Sequence, residues 1–164
     1  PVNLAHDFTH AVFILSLQNI SHPAAAIKLA AQALIKESKL VIVLNHPCFR
    51  IPRQSSWGID EANHLEYRRI NRYLSPLEIP LVTHPGKARS AVTWSFHQPL
   101  SAYVNWLSQS GMLVDQLVEW TSDKTSRGAN AKRENFSRRE FPLFLTLRAV
   151  NSSSFFKKNL HKLI

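Results

Sequence analysis

The sequence predicts a single α/β domain built on a parallel strand–helix–strand unit and closed by an antiparallel pair of strands. Three observations carry that prediction. The run Leu40–Leu44, within KLVIVLNHPCFR, is unbroken, apolar and rich in β-branched residues, which reads as a strand buried on both faces beneath helices. A second apolar run, Phe8–Leu17 (FTHAVFILSL), precedes it, and the segment between the two has apolar residues at helical spacing. Near the other end, Phe141, Leu143, Leu145, Leu147 and Ala149 alternate with Phe144, Thr146 and Arg148, the period of a strand.

Taken in order, Phe8–Leu17 is expected to be a strand ending at Gln18-Asn19. Ser21 is placed to cap a helix whose first turn tolerates Pro23. Ala24, Ile27, Ala31, Leu34 and Ile35 form that helix's apolar stripe, the pattern of a helix laid on a sheet. Two strands joined this way run parallel through a right-handed crossover. The second strand must stop at Asn45-His46-Pro47, because Pro47 lacks a donor and forces His46 to be extended. The carboxyl end of a central strand is where open α/β sheets bind ligands, so Asn45, His46 and Cys48 stand where chemistry is expected.

From Arg50 onward the pattern changes. IPRQSSWGID reads as loop, and Asp60 as the cap of a short helix, Glu61–Leu74, placed like a lid over the strand end. Ile79–His84 and Ala91–Phe96 flank Pro85-Gly86-Lys87 and read as a hairpin or flap. Gln98-Pro99 opens a helix with Leu100, Tyr103, Val104 and Leu107 on its buried side, and Gly111 ends it. Met112–Trp120 and Phe141–Ala149 are then two strands joined by a polar, basic loop, Thr121–Glu140, and with no helix between them they are expected to pair antiparallel.

Composition narrows the function. A chain of 164 residues that is 45% hydrophobic, with four Trp and nine Phe, can bury a core and is not a disordered segment. One cysteine excludes an internal disulfide framework and suits a reducing compartment. No apolar run approaches the roughly 18 residues of a membrane span, and the first residues lack the basic and apolar regions of a signal peptide. A cytoplasmic protein without a membrane partner is the expectation. The net charge of +9 is uneven: residues 1–122 carry +2 and residues 123–164 carry +7. That basic end keeps nucleic acid open as a partner, but no nucleic-acid-binding motif supports it. His6, Asp7 and His10 lack a third ligand of matching spacing, so no metal site is expected.

In succession these motifs resemble the C-terminal half of the class I S-adenosylmethionine-dependent methyltransferases. HAVFILSLQNI, a helix of the form AAxxLAxxALI and KLVIVLNHPCFR are similar to strands four and five of that Rossmann-like sheet. WSFHQPLSAYVNWLSQSGMLVDQLVEW resembles its last helix and sixth strand, and EFPLFLTLRA its antiparallel seventh strand beside the fifth. The resemblance implies a partial methyltransferase domain over 1–150, with a lid or flap insertion at 50–96, and a basic tail at 151–164. It implies S-adenosylmethionine as cofactor. Ser16, Leu17 and Gln18 would lie beside the cofactor's methionine end. Asn45, Arg50, Trp57 and Tyr67 would face the acceptor, and His46 and His97 would be candidate bases. The acceptor itself is not legible.

Three departures qualify this. The family's glycine-rich loop and the acidic residue ending its second strand would lie upstream of Pro1. The usual Gly-Gly before strand five is Glu37-Ser38, which implies left-handed strain or another backbone route. The family's Arg after the motif His is Gln98. Intact motifs from strand four onward, with no initiator Met, predict a truncated methyltransferase missing about 100 upstream residues, an ordinary complement for one domain. A chain supplying that half is the expected partner. Two other readings compete: an inactive remnant of a split gene, and an RNA-binding or RNA-modifying module using the basic end. The strand Ala11–Leu17, deprived of its partner, is expected to be an open hydrophobic edge.

Overall fold

A computed structural model describes residues 6–82 and 91–151. The elements in chain order are β1 (Phe8–Ile14), a 3-10 turn (Leu17–Asn19), α1 (Pro23–Gln32), β2 (Leu34–Asn45), β3 (Ser55–Asp60), β4 (Leu65–Ile70), β5 (Leu77–Val82), β6 (Val92–His97), α2 (Leu100–Gln109), β7 (Met112–Trp120), α3 (Ala131–Glu140) and β8 (Phe144–Asn151). The turn Pro85-Gly86-Lys87 and the tail beyond Asn151 lie outside the described residues.

β1 and β2 pair in parallel, joined by α1. β8 pairs antiparallel with β2 and with β7, giving the order β1-β2-β8-β7. β8, the last described strand, therefore sits inside the sheet, beside β2, where the resemblance put it. Leu40, Ile42 and Leu44 of β2 and Leu145, Leu147 and Ala149 of β8 project to one face. There they pack with Ile27 and Ala31 of α1, Tyr103 and Leu107 of α2, Met112 and Leu17. Each such aliphatic side chain taken fully out of water contributes about 1.5–3 kcal/mol, and this cluster is the core.

The opposite face corrects an expectation. Val41 and Val43 are only half-buried, and Val12 and Ile14 of β1 are 55% and 66% exposed. Among the described residues no helix covers that side, so β2 is fully buried on one face. β1 is an edge strand and mostly exposed, as expected of a strand without its second neighbour.

Other boundaries moved for identifiable reasons. β1 stops at Ile14, because Leu15 turns to φ 50°. The run stays apolar to Leu17 because Leu17 plugs the core beneath the strand end. His22, not Ser21, stands at the start of α1 and makes no side-chain cap, while Pro23 takes the first turn. α1 ends at Gln32, so Leu34 and Ile35 belong to β2. Of the two routes expected at Glu37-Ser38, Glu37 takes the left-handed one, at φ 61°. Val104 is 37% exposed rather than buried, whereas Gly111 ends α2 at φ 75°.

Two segments differ in kind. The lid helix expected at Glu61–Leu74 is instead an antiparallel hairpin of β3 and β4. Asp60 does cap, but it caps a turn: its Oδ1 accepts from Asn63 N at 3.1 Å. His64 at φ 52° then reverses the chain. Leu65, Tyr67 and Arg69 alternate with half-buried Glu66, Arg68 and Ile70, a strand pattern hidden by long amphipathic side chains. The basic loop expected at Thr121–Glu140 contains α3. Its buried contact is Ser137, whose Oγ donates to Glu66 O at 2.9 Å. Glu134 in the first turn and Arg138 and Arg139 in the last complement the helix dipole.

Candidate functional site

The carboxyl ends of β1 and β2 diverge, and the gap between them is bridged by one side chain. Asn45 N donates to Gln18 Oε1 at 2.8 Å, and Gln18 Nε2 donates to Asn45 O at 3.1 Å. A side-chain amide offers one donor and one acceptor, as a peptide does. Gln18 thus continues the parallel ladder by one rung after β1 turns away, with its own residue almost fully buried. Above this lock lies a cavity of about 250 Å³, whose polar lining is Gln18, Asn45, Arg50, Ser55, Arg68 and Ser95.

Two hairpins, β3–β4 and the antiparallel pair β5–β6, close the cavity's sides. Arg68 of β4 donates from Nε to Phe49 O at 2.7 Å and from Nη2 to Ser55 Oγ at 2.9 Å. Its guanidinium also lies 5.0 Å over the Trp57 ring. Ser55 Oγ in turn accepts from Ile51 N and donates to Ile51 O, both at 3.0 Å. Burial, and then the charge of Arg50, push the Arg68 guanidinium below its usual value.

Of the residues singled out from sequence, Gln18, Asn45 and Arg50 meet in this cavity. Leu17 has its side chain in the core, and Ser16 precedes the 3-10 turn without a side-chain cap bond. Trp57 lines an adjacent cleft with Arg50, Arg68 and Phe141. Tyr67 lies across Gly58 on the neighbouring strand, where an added Cβ would stand 2.5 Å from its Cζ.

The two histidines separate. His46 is 1% exposed, with Nε2 2.8 Å from Glu119 Oε1 of β7 and Nδ1 accepting from Cys48 N at 3.2 Å. A backbone N–H aimed at Nδ1 requires a lone pair there, so the Nε2 proton is the one shared with Glu119. Both nitrogens are engaged, and His46 ties the end of β2 to β7. His97 shares a face of β6 with Ser95 of the cavity, one pleat further on. Its Nε2 is 2.7 Å from Tyr73 O, which fixes the proton on that nitrogen and leaves the lone pair on Nδ1. Burial holds its pKa below the usual histidine value, against the opposing pull of that carbonyl.

Sequence reasoning missed Arg68 and Ser55. Arg68 falls within the helix expected at Glu61–Leu74, and the strand alternation of Leu65–Ile70 is the signal that turns it inward. Among the described residues no group of three metal-ligating side chains forms, and His6 and His10 bond to Gln32 O and Thr9 Oγ1. No helix among them is long and apolar enough to cross a membrane.

No protein-family model and no curated protein sequence matches the chain. Solved structures do. An S-adenosylmethionine-dependent methyltransferase from Mesorhizobium loti superposes with a TM-score of 0.64 at 23% identity, covering 88% of this chain and 63% of its own. A Listeria monocytogenes protein assigned to the same class gives 0.66 at 15%, covering 91% and 65%. A Haloferax volcanii complex between the Trm112 methyltransferase activator and a protein assigned as a methyltransferase gives 0.53 at 10%, covering 92% and 57%. The fold is therefore the Rossmann-like one of class I S-adenosylmethionine-dependent methyltransferases. This chain spans less than two thirds of the length of those structures.

Among the described residues no glycine opens a close backbone approach to a ligand. Gly111 and Gly128 have positive φ, but nothing stands within 4 Å of where a Cβ would be, and Gly58 is covered by Tyr67. What the chain builds is the polar cavity at the ends of β1 and β2.

Proposed function

We propose that these residues form the acceptor-facing half of an S-adenosylmethionine-dependent methyltransferase. The cofactor cradle would be supplied by sequence outside these 164 residues, on the same chain or a second one. The observation that carries the reading is the cavity over the Gln18–Asn45 lock, at the carboxyl ends of two parallel strands in a sheet of this order. That is the position at which open α/β sheets bind ligands.

The cofactor supplies an electrophilic methyl group. The chain's own residues hold the acceptor: Asn45 and Gln18 form the cavity floor, and Arg50 and Arg68 its wall. Trp57 and Tyr67 act indirectly, Trp57 by backing Arg68 and Tyr67 by stiffening the hairpin. His97 is the base for an acceptor that must lose a proton, because its ring is kept neutral with Nδ1 unprotonated. His46 is a positioning residue. The activator complex among the structural neighbours supports a fold that accommodates a partner chain.

Calorimetry tests this. The 164-residue chain is expected to show no saturable S-adenosylmethionine binding. Binding is expected when about 100 residues carrying a strand, a G-x-G loop and a helix are supplied in cis or in trans. Micromolar binding by the chain alone, or none after completion, overturns the proposal.

A further inference from the structure

Arg50 and Arg68 face one cavity, and no carboxylate of the described residues lines it. Among the described residues, Arg50 is engaged through its guanidinium only with the Phe144 ring, 5.2 Å from the centroid. Arg68 is held by the Phe49 carbonyl, the Ser55 hydroxyl and the Trp57 ring. These neutral acceptors fix its plane without cancelling its charge, and they leave donors unused. The contrast with three other arginines is informative. Arg148 pairs with Asp115, Arg133 with Glu61 and Arg138 with Glu134. Among the described residues, Arg50 and Arg68 share this cavity and its adjacent cleft with neutral groups alone, and burial first, then the charge of Arg50, lowers the Arg68 value.

We infer that the cavity binds an anionic group, a carboxylate or a phosphate, carried by the methyl acceptor. Arg68 supplies a rigid, pre-oriented fork and Arg50 a second cation beside it, an arrangement that suits two or more oxygens of one anion. The word acceptor rests on the methyl-transfer reading; the anion site does not. The cofactor's own carboxylate is the rival source. It travels with a sulfonium and an ammonium, so the cofactor as a whole is cationic and is disfavoured between two arginines. An anionic acceptor relieves that repulsion and is drawn toward the sulfonium as well.

The test uses the full 164-residue chain, selectively labelled at arginine side-chain nitrogens, at low ionic strength. Inorganic phosphate and benzoate are titrated separately while the Nε–Hε resonances of Arg50 and Arg68 are followed. At least one probe is expected to shift both resonances saturably, and which one does identifies the phosphate or carboxylate chemistry. Arg50→Gln should weaken that probe about tenfold or more, in line with losing a charge-assisted contact. Arg139→Gln, on exposed α3, should leave it unchanged. Arg68→Lys, which keeps the charge and loses the fork, is the second variant should Arg50→Gln fail to fold by circular dichroism. The inference is overturned if neither probe saturates, if both cavity variants bind as the parent does, or if free L-methionine displaces the probe as well as it displaces itself. No step of the titration involves S-adenosylmethionine, so its outcome is independent of the cofactor-binding test.

Discussion

Replacing Gln18 by Ala removes the side chain that joins the diverging ends of β1 and β2 at Asn45. Two backbone groups, Asn45 N–H and Asn45 C=O, lose partners at 2.8 and 3.1 Å. An orphaned, largely buried polar group costs about 1–3 kcal/mol. The cavity admits water to part of this site, which puts the pair at roughly 2–4 kcal/mol rather than the upper limit. With a urea slope of about 2 kcal/mol/M for a small domain, the unfolding midpoint should fall by about 1–2 M at unchanged slope. Native-state exchange of the Asn45 amide should accelerate far more than that of Ile42, deep in the sheet. A Gln18→Ala midpoint within about 0.3 M of the parent, with an unaltered Asn45 exchange rate, would refute the lock; the slope and extrapolation error are of that order.

Two further outcomes are expected. The His97 pKa lies below its unfolded value of 6.5, chiefly through burial, so the unfolded chain takes up the proton first on acidification. The stabilising contribution of the neutral ring is present above about pH 6.5 and is lost as pH falls through the lower folded value. A plot of unfolding free energy against pH should therefore flatten in His97→Asn relative to the parent, and an unchanged slope between pH 5 and 7 would count against the burial argument. The open edge of β1, with Val12 and Ile14 exposed, should make the isolated chain self-associate at micromolar concentration. Light scattering should return it toward monomer in Val12→Lys/Ile14→Lys, since charged side chains block edge pairing.

The sequence made the sheet legible where one face is continuous. Leu40–Leu44 and the alternation Leu143–Ala149 both encode positions in the core, and motif order supplied the pairing of β8 beside β2. It concealed elements whose contacts are polar. α3 docks through Ser137, and β4 turns Arg68 inward, so neither leaves an apolar period. The site was half legible for the same reason. Asn45, Gln18 and Arg50 could be placed from the end of a strand, but Arg68 arrives from a hairpin that looked helical. His46 and His97 looked alike in sequence. Glu119, more than seventy residues beyond His46, is what distinguishes them, and no local pattern announces it.

The placement of β8 has a consequence for how the chain is made. Leu40, Ile42 and Leu44 find their partners in Ala149, Leu147 and Leu145, about 100 residues later. At a synthesis rate of about 5–20 residues per second, β2 leaves the ribosome roughly 5–20 s before the strand that completes it. α1 and β1 can cover one face and one edge in that interval, but the other edge must wait. The nascent chain therefore carries an apolar, unpaired strand for seconds, with β7 already made and able to pair there wrongly. Arrival of β8 has to part those neighbours or forestall their meeting.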